Sequence, residues 1–332
     1  GVFVHTVMHE DDGSTRSLGV SPRYSAIVLR GAQWLDEDSQ RRIFGGENAA
    51  EYCDRQVRGA DALANPGDLA LVAWNAATLG HAEAARLVES LASRFESLRG
   101  ALTVELAWAL SATTAARAEE PARRLRDRLL SAQRDGRGVF AYRVDGCATG
   151  PRGHVASFAD QVYPTQALAR FHAAFGDERA LAAADRCAAA ICRLQGPEGE
   201  WWWHYDARTD GVVEGYPVYS VHQDSMAPMA LLDLAEAGGA DHSDAIGRGL
   251  RWFPSVRSPG RPLIDAENGV IWRKIARREP GKLVRQIRAA STSLHSGLRL
   301  GPLDALFPPG RVDWESRPYH LGWVLDAWLG RL

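Results

Sequence analysis

The chain has 332 residues, of which 45% are hydrophobic and 24% are charged, and its formal net charge is −2. This ordinary globular composition leaves enough apolar surface for a large core, and the near-neutral charge argues against binding to nucleic acid or a membrane surface by bulk electrostatics. Eleven tryptophans exceed the usual share of this residue.

Six segments along the chain share an Ala- and Leu-rich amphipathic pattern. Small and apolar residues occupy more than one face of each segment, as expected for a helix that packs on both sides. These predicted inner helices span residues 22–35, 67–79, 102–116, 158–175, 220–237 and 317–329.

Segments with stronger charge periodicity alternate with the inner helices and are typical of helices with one solvated face. They span residues 47–61, 82–95, 121–133, 178–194, 242–253 and 282–294. One hairpin cannot bury its own inner face, whereas hairpins stacked in a circle complete a shared core. We therefore predict an all-α fold, an (α/α)6 toroid of six helical hairpins, as a single domain over residues 1–332.

Strand signals are sparse and confined to the connections between helices. Residues 138–144 are predicted to pair with a segment near 201–205 or 269–273. Long connections at 135–157, 195–219, 254–273 and 299–316 are expected to carry function, because long loops on a compact domain usually do.

The four cysteines predict neither a disulfide framework nor a thiolate zinc site, because no two of them form a CxxC pair. We interpret them as small buried hydrophobic residues in a reducing compartment. Residues 1–8 have no basic leader and no 18-residue apolar run occurs in the sequence, so we expect no transmembrane segment and a cytoplasmic location.

Two stretches have a helix that ends in Gln, followed by a Gly turn and an aromatic residue. They are LLSAQRDGRGVF at 129–140 and ICRLQGPEGEWWW at 191–203, and they resemble the Gln–Gly–Trp repeat of the terpenoid cyclase and prenyltransferase toroids. Residues 216–237 (YPVYSVHQDSMAPMALLDLAEA) are similar to the inner-helix pattern of the six-hairpin glycosidases, which include unsaturated-uronyl hydrolases and sugar 2-epimerases. These resemblances imply an α/α toroid whose site lies where the inner helices begin, but that fold hosts many reactions.

The sequence departs from the terpenoid enzymes in its acidic motifs. It has no Asp-x-Asp-Asp motif, and residues 9–13 (HEDDG) resemble this motif only weakly. The diphosphate-binding Asp-rich motif and a Cys/His/Asp zinc set are missing as well. These absences argue against cyclisation and prenyl transfer.

If the inner helices all run in one direction, the side chains at their N-terminal ends converge on one mouth. These side chains are Arg23, Tyr24, Asp68, Glu105, Asp160, Tyr163, His222, Asp224, Tyr319 and His320. Acidic residues are also common as helix caps or in first turns, because helix N-termini favour negative charge.

Acid–base chemistry on a sugar needs two groups in different protonation states near one carbon. The candidates for catalysis are Asp160, Asp224, His222 and Glu105. A carboxyl group buried among tryptophan rings would have a raised pKa and could act as the acid. Hydrolysis, elimination and epimerisation all remain open. No sequence signature of a catalytic metal, phosphate loop or dinucleotide site occurs, so neither a metal nor a cofactor is predicted.

The densest cluster of aromatic and polar residues is GEWWWHYD at 199–206. Three consecutive tryptophans cannot all face a core, so at least one is expected to meet solvent, a ligand or a partner. Tryptophan rings stack on sugars, and neighbouring polar groups bind hydroxyls. The predicted substrate-binding residues are Trp201, Trp202, Trp203, His204, Tyr163, Tyr219, Arg23, Tyr319 and His320. The alternative is an aromatic plug that closes the ring.

The run from Arg273 to Arg288 carries seven basic residues and one acidic residue. Such a run is either a solvated face or a site for an anionic ligand, such as a uronic or phosphorylated sugar.

These features favour a carbohydrate-active enzyme that acts on a glycan or an anionic sugar as a hydrolase, lyase or epimerase. Two alternatives remain: a terpenoid cyclase-like enzyme acting on an isoprenoid, which would need an apolar interior with few charges, and a non-catalytic toroid that binds a glycan or a partner.

Overall fold

The computed structural model describes residues 2–10, 14–255, 263–298 and 300–331. Residues 11–13 of the acidic segment 9–13 and residues 256–262 of the predicted loop 254–273 therefore lie outside the described residues. The helices in the described part of the chain are α1 (Pro22–Ala32), α2 (Glu37–Phe44), α3 (Ala49–Arg58), α4 (Pro66–Thr78), α5 (Ala84–Ser97), α6 (Thr103–Ala115), α7 (Glu119–Leu130), α8 (Ala159–Phe175), α9 (Glu178–Arg193), α10 (Ala227–Glu236), α11 (Ser243–Ser255), α12 (Leu283–Leu294), α13 (Pro302–Leu306) and α14 (Pro318–Leu329).

Six inner helices form a closed ring, as the sequence predicts. α1 packs against α4, α4 against α6, α6 against α8 and α8 against α10. A π-helical turn at His222–Met226 leads into α10, and this turn and α10 both contact α14, which returns to α1. The inner helices are small-residue helices buried nearly all round: α6 buries eleven of its thirteen residues, whereas the outer helix α7 buries only four of its twelve. The prediction of an (α/α)6 toroid is thus confirmed.

Two glycines allow the first and last inner helices to close the ring. A Cβ atom on Gly31 would lie 2.0 Å from the carbonyl oxygen of Gly322, and one on Gly322 would lie 2.6 Å from the carbonyl oxygen of Ile27. Any side chain at either position would push α1 and α14 apart. This contact joins the two ends of the chain, which the sequence separates by almost three hundred residues.

The outer helices α3, α5, α7, α9 and α11 lie where charge periodicity predicts them, within a few residues at each end. The segment predicted at 282–294 is also a helix, α12, but its main packing partner is strand β5 (Gly211–Glu214). The short helices α2 and α13 are additional to the prediction.

The two Gln–Gly motifs make the same hydrogen bonds in successive hairpins. In each motif the Gln side-chain amide donates to the carbonyl oxygen of the turn glycine and to a carbonyl oxygen in the next outer helix. The acceptors are Gly138 and Ala183 for Gln133, and Gly199 and Ala245 for Gln195. The motif therefore ties one hairpin to the next, which explains why it recurs in a ring of hairpins.

A second pair of glutamines fixes where each turn meets the following inner helix. Gln161 and Gln223 each accept a hydrogen bond from the backbone N–H of the aromatic residue that follows the turn. Those aromatic residues are Phe140 and Trp201. The residues directly before the glutamines, Asp160 and His222, therefore occupy equivalent positions at the starts of consecutive inner helices.

Short strands lie at the ends of the ring. Besides β5 they are β1 (Val4–His9), β2 (Thr15–Val20), β3 (Val155–Ser157), β4 (His204–Asp206), β6 (Val218–Tyr219), β7 (Ile264–Asp265), β8 (Val270–Ile271), β9 (Lys274–Arg277), β10 (Pro309–Asp313) and β11 (Glu315–Ser316). They form the antiparallel sheets β11–β1–β2, β10–β9–β6, β3–β4–β5 and β7–β8.

The predicted pairing of residues 138–144 is wrong. This segment forms no strand with 201–205 or 269–273; its isolated bridges join Phe140 to Gln133 and Arg143 to Leu102. The short Gly turn folds the start of the segment back onto its own helix end, and the rest of the segment pairs with residues 101–103 at the start of α6. β4 pairs with β3 and β5 instead.

Aromatic rings fill the axis of the inner ring. The ring centroids of Trp108 and Tyr163 are 5.1 Å apart, those of Tyr163 and Trp323 are 5.6 Å apart, and those of Trp323 and Trp74 are 6.5 Å apart. All four side chains are buried. We call these four residues the aromatic column; it separates the end of the ring where the inner helices start from the end where they finish.

The four cysteines are free thiols: Cys53 and Cys187 are buried, as predicted, whereas Cys147 and Cys192 are only partly buried. None of the described helices is both long enough and apolar enough to cross a membrane.

Candidate active site

The starts of three consecutive inner helices meet at Arg23. This residue lies in the first turn of α1 and donates to Asp68 on α4 at 2.7 Å and to Glu105 on α6 at 3.3 Å. Asn65, the N-cap of α4, also donates to Glu105 at 3.1 Å. Asp68 and Glu105 therefore both accept hydrogen bonds from one cation, Arg23, and lie close together.

The first and last inner helices contribute a tyrosine pair to the same end of the ring. The rings of Tyr24 and Tyr319 are 4.7 Å apart, and Arg317 donates to the Tyr24 hydroxyl at 2.8 Å. Both tyrosines are partly exposed. Burial raises the pKa of Tyr319 to about 12, so this phenol keeps its proton and can donate a hydrogen bond at neutral pH.

Asp160 lies at the start of α8 with its carboxylate held by a single neighbour. Its Oδ2 atom accepts from both the backbone N–H and the hydroxyl of Ser157, each at 2.7 Å. Burial raises the pKa of Asp160 to about 6, although the Ser157 bonds oppose the shift. Asp160 can therefore hold or release a proton in the neutral range, which an ordinary exposed carboxyl cannot do.

Asp224 and His320 form a buried pair between the π-helical turn and α14. The Nε2 atom of His320 lies 2.9 Å from each carboxylate oxygen of Asp224, and the Trp328 indole donates to the backbone carbonyl of Asp224 at 2.7 Å. This contact places the proton of a neutral His320 on Nε2 and leaves Nδ1 as an acceptor. The extra residue of a π turn re-aims the side chains around it, and such turns are frequent at functional sites.

His222 lies between two aromatic rings in the same wall. Its ring centroid is 4.5 Å from that of Phe158 and 5.0 Å from that of Tyr219. Burial lowers the pKa of His222 to about 3. His222 is therefore neutral and packed, which makes it a weaker candidate for proton transfer than Asp160.

The three consecutive tryptophans have three different surroundings. Trp201 is fully buried and packs on Phe158, with ring centroids 5.7 Å apart. Trp202 is partly exposed and meets Tyr216 edge-on in a separate cavity of about 190 Å³. Trp201 thus fills the role of a plug, and Trp202 lies outside the mouth.

Trp203 is the tryptophan of this group that lines the mouth. It is partly exposed, stacks on His204 with centroids 3.9 Å apart, and meets Tyr219 edge-on at 5.5 Å. The guanidinium of Arg285 lies 4.6 Å from the centre of the Trp203 ring. His204 is buried, and burial holds its pKa well below the usual value, so it supports Trp203 as a neutral ring.

The basic run 273–288 does not form a single solvated face. Most of its cations are paired with carboxylates: Arg273 with Glu315, Lys274 with Asp313, and both Arg277 and Arg288 with Glu214 and Asp304. Arg278, Lys282 and Arg285 have no ion pair or side-chain hydrogen bond within the described part of the chain, but Arg278 and Lys282 are exposed whereas Arg285 is partly buried. Burial and the nearby charge of Arg152 lower its pKa. Arg285 is thus a partly buried cation beside Trp203 without a counter-ion.

The sequence did not identify several of the residues at the mouth, although for some of them the sequence spacing contains a signal. Trp108 lies one helical turn after Glu105, a spacing that places both on one face. Ser157 precedes Asp160 by three residues, the spacing of a helix-start hydrogen bond. Arg285 is visible only as one of seven basic residues, because nothing in the sequence tells which of them lack a partner.

Within the described residues, no group of three or more His, Cys, Asp or Glu side chains is placed to hold a metal ion.

The overall arrangement matches solved glycosidase structures over the whole chain. An unsaturated glucuronyl hydrolase specific for heparin is 13% identical, with a TM-score of 0.61 over 100% of this chain and 90% of that one. The unsaturated glucuronyl hydrolase from Bacillus sp. GL1 is 15% identical, with a TM-score of 0.55 over 99% and 90% of the two chains. A possible member of the GH105 family from Klebsiella pneumoniae is 11% identical, with a TM-score of 0.56 over 98% and 87%.

No protein-family model and no curated protein matches the sequence. The structural matches share too little sequence to establish more than the fold, and they do not show the terpenoid-cyclase likeness of the Gln–Gly motifs. This chain has the (α/α)6 toroid fold of the six-hairpin glycosidases.

Proposed function

We propose that this protein is a carbohydrate-active hydrolase that acts on a terminal anionic sugar, such as an unsaturated uronic acid, at the mouth of the toroid. The observation that carries the proposal is the unpaired Arg285 above the partly exposed Trp203 ring. An aromatic face stacks on a sugar ring, and a partly buried cation without a counter-ion attracts a carboxylate or sulfate on that ring. The solved structures of similar fold include unsaturated glucuronyl hydrolases, which supports the same substrate class.

The remaining mouth residues have complementary roles in this proposal. Asp160 transfers the proton, because its raised pKa lets it be protonated before the reaction and ionised afterwards. The Asp68–Arg23–Glu105 group binds sugar hydroxyls. Asp224 orients His320 through its Nε2 atom, so the Nδ1 atom of His320 can accept a proton or a hydrogen bond from a water molecule.

The test is turnover of short unsaturated uronyl oligosaccharides by the purified protein. Loss of the ultraviolet absorbance of the conjugated double bond is expected, and a saturated oligosaccharide of the same length serves as the matched control. Binding without any turnover of the panel would instead favour the non-catalytic toroid. The proposal would be refuted if the protein neither bound nor turned over any of these oligosaccharides.

The terpenoid alternative lacks support from the mouth. A carbocation cyclase needs an apolar chamber, whereas Arg23, Asp68, Glu105 and Asp160 place several charged or ionisable groups in this one.

The pH dependence of the reaction follows from the pKa of Asp160. As the proton donor Asp160 must be protonated, so kcat/KM should fall about tenfold per pH unit above a pKa of about 6. The measurement is kcat/KM between pH 4 and pH 9 on an unsaturated disaccharide. A profile that stays flat through pH 8 would show that another group donates the proton.

Substrate affinity should depend on Arg285 and not on its neighbours in the basic run. Arg285→Gln removes the free cation, so KM for an anionic sugar should rise about 10- to 100-fold, the usual worth of a hydrogen bond to a charged group. Arg278→Gln is the matched control, because Arg278 is exposed on the same run and has no side-chain partner among the described residues. Equal effects of the two substitutions would mean that only general positive charge matters.

A further inference from the structure

A second polar cavity lies at the end of the ring opposite the mouth. Its volume is about 300 Å³, and its walls are the final turns of inner helices α1, α8, α10 and α14 together with Trp34. Arg23 at the mouth and Arg30 in this cavity are seven residues apart on α1, which corresponds to roughly 10 Å along the helix. We call this space the rear chamber.

The aromatic column separates the rear chamber from the mouth. Trp74 ends the column on the rear side, where Arg30 and Arg170 lie over its ring at 4.3 and 5.2 Å. Tyr163 and Trp108 close the column on the mouth side. A molecule in the rear chamber therefore has to arrive from the opposite face of the protein, so the chamber is not a subsite of the mouth.

The charged groups of the rear chamber balance one another. Its lining contains three arginines and three carboxylates, namely Arg30, Arg170, Arg331, Asp233, Glu236 and Asp326. Asp233 is fully engaged: Oδ2 accepts from Arg170 at 2.6 Å and from Gln166 at 2.8 Å, and Oδ1 accepts from Arg331. Glu236 pairs with Arg331 at 2.9 Å. A cationic ligand would meet three arginines and an anionic ligand three carboxylates, so the balance favours a neutral one.

Asp326 is only half satisfied. Its Oδ1 atom accepts from the Trp34 indole at 3.1 Å and lies 3.2 Å from the Arg30 Nε atom. Its Oδ2 atom has no hydrogen-bond partner among the described residues, although the residue is 2% exposed. Buried acceptors are normally bonded, so this atom calls for a donor from outside the chain.

We infer that the rear chamber is a second binding site, for a neutral polyhydroxylated molecule the size of one sugar ring. A hydroxyl group of the ligand donates to Asp326 Oδ2, and the ring lies against Trp34, which is 42% exposed. A hydroxyl both donates and accepts, so it suits a wall in which arginines alternate with carboxylates. This site takes part in no chemistry and is independent of the reaction proposed at the mouth.

The test follows the indole N–H signal of Trp34 by NMR in the full-length protein, with Trp34→Phe to assign it. Glucose is the neutral probe, and glucuronate and glucosamine are charged probes with the same ring. Glucose should shift the signal to saturation, and the charged sugars should bind at least about tenfold more weakly. Trp203→Ala, which removes the platform at the mouth, should leave this titration unchanged.

Two variants separate a specific site from general effects. Asp326→Asn keeps the size of the side chain but replaces one acceptor oxygen with a donor, so glucose affinity should fall at least about tenfold. Ala237→Leu adds bulk to the chamber and removes no member of an ion pair, so it keeps the test valid if Asp326→Asn fails to fold, and it should abolish the shift. The inference is overturned if glucose leaves the signal in place, which would mean water alone fills the chamber. Equal shifts with all three sugars, or shifts that persist in a folded variant, overturn it as well.

Discussion

Replacing Asp160 with asparagine is expected to lower turnover by about 10²- to 10⁴-fold, the usual contribution of a positioned acid–base group. Asparagine has the same shape and can accept from Ser157 as the carboxylate does, but it cannot transfer a proton. The measurement is kcat on an unsaturated disaccharide at pH 6, with binding followed separately to show that the substrate still enters.

The same substitution should not weaken the fold at neutral pH. The pKa of Asp160 is raised from 3.8 to about 6 in the folded protein, so the folded state binds more protons than the unfolded state between these values. The wild-type protein therefore loses stability as pH rises from about 4 to about 6, a loss that asparagine avoids. Asp233→Asn is the control, because it alters a buried carboxyl remote from the mouth: it should lower stability and spare kcat. Wild-type turnover in Asp160→Asn would remove Asp160 from the reaction.

Trp201 and Trp203, the first and last of the three consecutive tryptophans, should give opposite results when each is replaced with alanine. Trp201 is fully buried, so Trp201→Ala should lower the free energy of unfolding by about 3–5 kcal/mol through the cavity it leaves. Trp203 is partly exposed at the mouth, so Trp203→Ala should change stability far less and weaken sugar binding instead. Denaturant unfolding and calorimetric titration with an unsaturated disaccharide measure the two effects.

This comparison has a clear way to fail. If Trp203→Ala binds the sugar normally, the ring is not the platform, and the position of Arg285 above it loses its functional meaning. If Trp201→Ala leaves stability unchanged, the plug assignment is wrong.

The ring could be predicted from the sequence because its signal is repeated. Each of the six inner segments has apolar residues on more than one face, whereas its outer partner has one charged, solvent-exposed face. Because this contrast recurs, an error in predicting one helix does not change the predicted fold. The convergence of Arg23, Asp68 and Glu105 followed from helix direction alone. Gln133 and Gln195 were recognisable because a turn between hairpins imposes the same hydrogen bonds each time.

Features that depend on contacts distant in sequence could not be predicted in the same way. The β1–β2 hairpin is stabilised partly by β11 from the far end of the chain, and no local pattern reports that pairing. Consecutive tryptophans look alike in sequence, although their surroundings differ completely. Arg285 is distinguished by being partly buried beside Trp203 without a counter-ion, and recognising this requires knowing where each carboxylate lies.

The aromatic column also determines how a long chain can be handled. Since four buried rings block the axis, a polysaccharide cannot thread through the ring and must leave by the opening through which it came. If the protein acts on a glycan as we propose, the mouth would take the last unit of a strand. Such a protein would therefore remove units from chain ends. Its rate on a given mass of polymer would depend on the number of chain ends and not on the total chain length.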